Sequence, residues 1–136
     1  MSTNWVQDIN DMHTKYGVRE VIEKMTPQDL RMFLKFRLNF LDEELTETKN
    51  ASGDTIDAEE IVDGLIDLCV VAIGTLDAFG IDAHKAWNEV HNANMSKEPG
   101  IKESRPNPLG LPDLIKPEGW EGPSHRDNYG YFPNSI

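Results

Sequence analysis

Five acidic residues in the middle of the chain have a spacing that could bind a metal ion. Glu44 and Glu47 stand three residues apart, and Glu60, Asp63 and Asp67 follow at intervals of three and four. Residues at these intervals share one face of a helix. Carboxylates arranged in this way on two antiparallel helices could form an oxygen cage for Mg²⁺, which keeps several water ligands and is commonly shared with phosphates.

The charge pattern around these acids favours a cation. Between Lys49 and Lys85 there is no Lys or Arg, but there are eight Asp or Glu residues. Like charges at helical spacing repel one another, and burying an unpaired charge costs several kcal/mol, roughly. A solvated helix face is the alternative explanation, because such faces are rich in Glu. Asp63 and Asp67, however, lie in the most apolar segment of the chain, where solvated faces are least expected.

Helix-end signals and apolar periodicity predict four helices that would position these acids. The clearest start has Thr26 as N-cap, Pro27 at the first helical position and Asp29 three residues after the cap. Gly17 and Gly80 supply stops. The predicted ranges are about 4–15, 27–49, 55 or 57 to 78, and 82–95.

The third predicted helix is apolar around most of its circumference, which requires that it be surrounded. Four helices of this size cannot easily surround one of their own, so we expect a partner chain to complete the fold. The predicted fold class is therefore all-α: a helical bundle of four main helices, completed by oligomerisation. Trp87 and Val90 of the fourth helix are expected in the core, whereas His13, His84, His91 and His125 are expected in solvent or at helix ends.

The composition changes after Ser96. Seven of the eight prolines and five of the ten glycines lie beyond this point, and no helical or strand period is visible there. We therefore predict a helical catalytic domain over residues 1–96 and an extended Pro/Gly-rich C-terminal tail over residues 97–136. Aromatic residues in this tail, including Trp120, predict that it packs on the bundle or on a partner chain.

Net charge and cysteine content limit the partners. A formal charge of -11 provides no basic footprint for DNA or RNA and disfavours an anionic membrane surface. A small anionic ligand remains possible if a cation lies between it and the protein. Cys69 is the single cysteine, so no intrachain disulfide forms, and the N-terminus lacks the pattern of a signal peptide. We expect a cytoplasmic protein that binds neither a membrane nor a nucleic-acid polymer.

The order of the acidic motifs, ExxE followed by ExxDxxxD, resembles the all-α nucleoside triphosphate pyrophosphohydrolase superfamily. That group includes MazG-like proteins, phosphoribosyl-ATP pyrophosphohydrolases and dimeric dUTPases. Further segments that resemble its members are "FRLNFLDEELTET" from Phe36, "IVDGLIDL" from Ile61, "AFGID" from Ala78, "EVHNANMSK" from Glu89 and, more weakly, "KPEGW" from Lys116. The similarity covers most of the chain.

The resemblance implies a helical bundle that forms a homodimer or homotetramer and hydrolyses a nucleotide to its monophosphate and pyrophosphate. By position, Glu44, Glu47, Glu60 and Asp63 would be the metal ligands, and Asp67 an additional ligand or a neighbouring acceptor. The implied cofactor is Mg²⁺, with Mn²⁺ as an alternative. As a mechanistic hypothesis, Glu47 or Glu44 orients the attacking water; the sequence does not indicate which.

Positive and polar groups should contact the substrate phosphates and sugar or base. Lys97, at the end of "NANMSK", and Arg37 are the first candidates, with Lys116 as a weaker one. Lys97 has an ordinary alternative role beside the C-terminal end of a helix dipole. Asn94 could bind ribose or base, or could cap its helix.

Three functions remain open at this stage. The first is a Mg²⁺-dependent hydrolase that converts an NTP or dNTP to the monophosphate and pyrophosphate. The second is a phosphoribosyl-ATP pyrophosphohydrolase with the same metal site. The third, from a different class, is a non-catalytic helical dimer whose acids bind a basic partner. Base preference and sugar preference are not determined by these residues.

Overall fold

The computed structural model describes residues 1–110 and 112–135. These residues form five α-helices, two short antiparallel strands and one C-terminal 3₁₀ helix. The prediction of an all-α fold is confirmed. The helices are α1 Trp5–Lys15, α2 Val18–Glu23, α3 Pro27–Asn50, α4 Ala58–Ala78 and α5 Ala83–Met95; the strands are β1 Glu98–Gly100 and β2 Asp113–Ile115; the 3₁₀ helix is Phe132–Ser135.

The caps explain why the predicted helix starts are close to the observed ones. The side chain of Asn4 accepts a hydrogen bond from the α1 backbone, and Asp57 does the same for α4. At α3, Thr26 and Asp29 form a reciprocal capping box. In contrast, α2 was not predicted. It has six residues and follows Gly17 directly, so it is too short to show an apolar period.

The described chain packs as two compact units. The first unit contains residues 1–83 and the end of the chain from Tyr129, and the second contains residues 84–128. The division into a catalytic domain over residues 1–96 and a tail over residues 97–136 stays a prediction. Leu111 and Ile136 of that tail lie outside the described residues.

The core of the first unit forms around Phe79, which is completely buried. Its ring stacks on Phe33 at 5.8 Å and on Phe132 at 4.7 Å between centroids. The backbone N–H of Tyr131 donates to the Phe79 carbonyl at 2.8 Å. A side chain at Gly130 would collide with that carbonyl. The end of the chain therefore packs on the C-terminal end of α4.

In the second unit, the segment after α5 folds back on that helix. The indole N–H of Trp120 donates to the carbonyl of Ala93 and to the hydroxyl of Ser96, both at 3.0 Å. Glu98 to Gly100 pair with Ile115 to Asp113 in β1 and β2. These strands were not predicted, because three-residue strands are too short to show a period of two.

Several large apolar side chains on α3, α4 and α5 are exposed. On α3, Leu30 is buried, whereas Leu38 and Leu45 are exposed. Trp87 is 72% exposed and Val90 is also exposed, so their predicted core position is wrong. In the described part of the chain, no single helix is long and apolar enough to cross a membrane. One bent pair of helices, 58–78 with 83–95, has the length and composition of a membrane span.

Candidate active site

Close packing between α3 and α4 determines which acidic residues face each other. Gly64 of α4 lies against the Thr48 side chain, and Gly74 lies against Arg37. Because the residue number rises along one helix as it falls along the other, the two helices are antiparallel. By the same register, Glu44 on α3 is level with Asp67 on α4. The sequence pattern thus correctly predicted two antiparallel acidic helices.

The acidic residues of α3 and α4 affect the pKa of Glu44. Glu44 is half-buried. Partial desolvation, followed by repulsion from the surrounding carboxylates, raises the pKa of Glu44 above its ordinary value. In order of effect, these carboxylates are those of Glu47, Asp67, Glu43 and Asp63. Acids from both helices therefore act on one another, which single-helix spacing alone could not establish.

The other predicted ligands differ in exposure and in their effect on Glu44. Glu47 and Asp63 are exposed, and Asp67 is half-buried beside the helix interface. Glu60 lies in the first turn of α4, where its backbone N–H is capped by Asp57. Asp67 raises the pKa of Glu44 more than Asp63 does. Asp67, which was expected to be auxiliary, is therefore close to Glu44.

Mg²⁺ is consistent with the chemistry of these donors, which offer only carboxylate oxygens. Within residues 1–110 and 112–135, no three His, Cys, Asp or Glu side chains are gathered closely enough to form a metal site. Neighbouring carboxylates repel one another unless a cation lies between them. The helices place the donors on facing surfaces, and side-chain rotation would have to bring their oxygens together.

Arg37 has a structural role at the α3–α4 interface. Its Nε donates to the Thr75 hydroxyl and its Nη2 to the Val71 carbonyl, both at 3.0 Å. Partial burial lowers the pKa of Arg37 from its ordinary value. Gly74 provides the space for the guanidinium, because a Cβ there would lie 2.5 Å from Nη2. The side chain ties the two acidic helices together two turns from Glu44.

The remaining predicted substrate-binding residues lie in the second unit. The Nζ atoms of Lys97 and Lys116 each lie 5.2 Å from the ring centroid of Trp120, within cation–π range. This brings two cationic side chains to one aromatic ring. Asn94 is half-buried near the end of α5, and its carbonyl accepts a hydrogen bond from the Lys97 backbone N–H.

A buried polar cluster in the first unit was not predicted. Asp77, whose side chain is 8% exposed, accepts hydrogen bonds from Arg19 at 2.9 Å and Asn10 at 3.1 Å, and pairs with the His13 ring at 2.8 Å. His13 is 5% exposed, so the predicted solvent position is wrong, whereas the alternative, a position at a helix end, agrees with its place in the last turn of α1. Its spacing of four from buried Ile9 on α1 was a signal that could have indicated burial.

Comparison with known families identifies the chain. The fold is mostly helical, and acidic side chains of two antiparallel helices influence the pKa of Glu44. The profile of the phosphoribosyl-ATP pyrophosphohydrolase family matches residues 18–94, which is more than half of the chain and includes all five predicted acids. The chain belongs to this family, and it is therefore a pyrophosphohydrolase, a hydrolase that acts on phosphoanhydride bonds. No curated protein matched the sequence.

Proposed function

We propose that the protein is a Mg²⁺-dependent pyrophosphohydrolase that converts an NTP or dNTP to the monophosphate and pyrophosphate. The observation that carries this proposal is the carboxylate group around Glu44. Four further acids from α3 and α4 act on that residue. A divalent cation offsets such repulsion and lets a polyphosphate approach a protein of net charge -11.

The proposed ligands are Glu44, Glu47, Glu60 and Asp63, with Asp67 as a further ligand or an acceptor beside them. When bound, Mg²⁺ (or Mn²⁺) supplies neutralisation of phosphate charge and Lewis-acid polarisation. Glu47 or Glu44 orients a water toward the phosphorus and accepts its proton. The phosphoanhydride bond breaks and pyrophosphate leaves with the electron pair.

Cationic and polar side chains are further proposed to bind the substrate. Lys97 and Lys116 would pair with phosphate oxygens, and Asn94 would hydrogen-bond to ribose or base. Their common position beside Trp120 supports a shared role for the two lysines. Arg37 would contribute positive potential, although Thr75 and Val71 already accept hydrogen bonds from two of its nitrogens.

A second candidate is hydrolysis of phosphoribosyl-ATP. The matched family is described by this substrate, which favours it directly. The same acidic site would break the same type of bond. Family membership favours both enzymes over the non-catalytic dimer that binds a basic partner.

We further propose that the protein is cytoplasmic and that it forms a homodimer or homotetramer. The exposed apolar residues of α3 and α4 support the proposal that the chain forms an oligomer.

A substrate panel separates these candidates. Purified protein is incubated with each of the common NTPs and dNTPs and with phosphoribosyl-ATP, in Mg²⁺ and in EDTA, and pyrophosphate and monophosphate are quantified. We expect equal amounts of both products from at least one NTP or dNTP, and none in EDTA. Turnover of phosphoribosyl-ATP alone would select the second candidate. Release of orthophosphate, or activity that survives EDTA, would contradict both.

A further inference from the structure

A groove between α1 and α4 is lined in part by α4, the helix that also carries Glu60, Asp63 and Asp67. Its volume is about 310 Å³, at the lower end of the range for small-molecule sites. Four apolar side chains that line it are Trp5 from α1 and Ile66, Cys69 and Val70 from α4. Asp8, also from α1, adds a carboxylate to the lining. An apolar slot with one polar group is the usual composition of a site that holds a flat organic ring.

The position of this groove on α4 connects it to the carboxylates. Val70 follows Asp67 by three residues. Asp63 lies three residues before Ile66. Residues at such spacings are neighbours on one helix surface, and one turn of helix rises about 5.4 Å. A ligand with phosphates at Asp63 and Asp67 therefore has its next chemical group within reach of the groove.

We infer that this groove binds the nucleobase of the substrate, with Trp5 stacking on the base and Asp8 accepting a hydrogen bond from an exocyclic amino group. This inference rests on the proposed function, because it places the phosphates at the acidic site. Trp5 is 53% exposed, so one part of its ring is open to a ligand. An ionised carboxylate accepts hydrogen bonds and donates none. Where an amino-bearing base offers that amino group, uracil and thymine present a carbonyl oxygen, which the Asp8 carboxylate repels, so Asp8 favours adenine, cytosine or guanine.

Neither residue belongs to the part of the chain that matches the family profile. Trp5 and Asp8 lie on α1, and the match begins at residue 18. Of the described residues that line the groove, Trp5 provides the only aromatic ring. The base preference is therefore assigned to a helix that the matched region does not include.

Substitutions at Trp5 and Asp8 test the inference through kcat and KM for amino-bearing and amino-free nucleotides. Trp5→Phe keeps an aromatic face, whereas Trp5→Leu keeps apolar bulk and loses that face. We expect Trp5→Leu to raise KM about tenfold, as loss of one base–aromatic stack does, and Trp5→Phe to raise it much less. kcat should stay within about twofold, because the phosphate site is intact.

Asp8→Asn replaces an acceptor with a group that also donates. We expect it to lower the preference for amino-bearing over amino-free bases by about fivefold, roughly the difference between a hydrogen bond to a charged acceptor and one to a neutral acceptor. Tyr16→Ala is the matched control, since Tyr16 is an exposed aromatic residue at the other end of α1. It should leave both KM and base preference unchanged.

The outcomes distinguish this inference from the proposed function. If the unaltered protein releases pyrophosphate but Trp5→Leu matches it in KM, the base does not stack on Trp5 and the inference is overturned. A change of oligomeric mass in Trp5→Leu without a change in KM would overturn it too, and would assign the groove to a second copy of the chain. An unaltered protein that is inactive on every nucleotide would remove the proposed function itself.

Discussion

At the scale of single residues, two partly buried carboxylates shift in opposite directions because their neighbours differ. Glu44 is surrounded by other acids, and its pKa is raised. Burial also acts to raise the pKa of Asp77, but hydrogen bonds from His13, Asn10 and Arg19 outweigh it, and the net shift is downward. The surroundings of Glu44 favour the binding of a cation or a proton. The surroundings of Asp77 favour a permanently charged carboxylate, which holds α1 and α2 against α4.

The Asp77 cluster leads to a pH-dependent prediction. A carboxylate with a lowered folded pKa contributes stability that is present above its unfolded pKa, near 4, and is lost as pH falls through the folded value. We expect Asp77→Asn to lower the free energy of unfolding by about 2 kcal/mol at neutral pH, and by clearly less at about pH 3. Urea denaturation at both pH values measures the difference. Asp42→Asn, an exposed acid on α3, is the control, and an equal loss at both pH values would refute the argument.

Sequence spacing predicted the acidic residues but not the Asp77 cluster. Glu44 and Glu47 share a helix face by local geometry alone, which any helical segment imposes. His13 and Asp77 are 64 positions apart, and their pairing depends on how α1 packs against α4. A spacing rule has no information about such a contact.

At the scale of helices, the distance between α3 and α4 is controlled by small residues on α4. A Cβ at Gly64 would overlap the Thr48 side chain, which is itself buried and hydrogen-bonded to the Glu44 carbonyl. This contact lies one turn from Glu44. The spacing of the two acidic surfaces therefore depends on the absence of a side chain at residue 64.

Gly64→Ala tests this dependence. Alanine favours a helix by up to about 1 kcal/mol over glycine, but forced overpacking costs about 1–3 kcal/mol, so we expect a net loss of stability. Turnover should fall as well, because the helices must separate. Thermal unfolding and pyrophosphate release measure the two effects. Gly53→Ala is the control, since a Cβ there meets only Asn50 at an ordinary 3.5 Å; equal behaviour of the two variants would disprove the packing argument.

Helix starts could be predicted from sequence because capping is local. Thr26, Pro27 and Asp29 carry the whole signal for the start of α3 within four residues. The short elements could not be predicted in this way. β1 and β2 have three residues each, and they pair with each other across more than ten intervening positions.

At the scale of the whole molecule, exposed apolar residues indicate a missing neighbour. Val62 and Leu65, on the face of α4 away from α3, are 63% and 52% exposed. A helix with such a face is stable in water only when another surface covers it. The expectation that a partner chain completes the bundle came from the same apolar pattern in the sequence, and it stays a prediction.

Sedimentation equilibrium tests this prediction. We expect the unaltered protein to sediment as a dimer or tetramer and Leu65→Glu to shift it toward the monomer, because a buried unpaired charge costs several kcal/mol, roughly. Val21→Glu places the same charge at another exposed apolar position, on α2, and should not change the mass. A monomeric unaltered protein would rule out the partner chain.

The dependence of pyrophosphate release on Mg²⁺ concentration, measured for the unaltered protein, Glu44→Gln and Asp42→Asn, tests the central claim most directly. Acids of both helices raise the pKa of Glu44, whereas Asp42 lies two residues away on the opposite side of α3. We expect saturable activation by Mg²⁺ in the unaltered protein and in Asp42→Asn, and a loss of at least about 100-fold in Glu44→Gln with unchanged helical circular dichroism. A Glu44→Gln protein that turns over at the unaltered rate would contradict a metal-dependent site between α3 and α4.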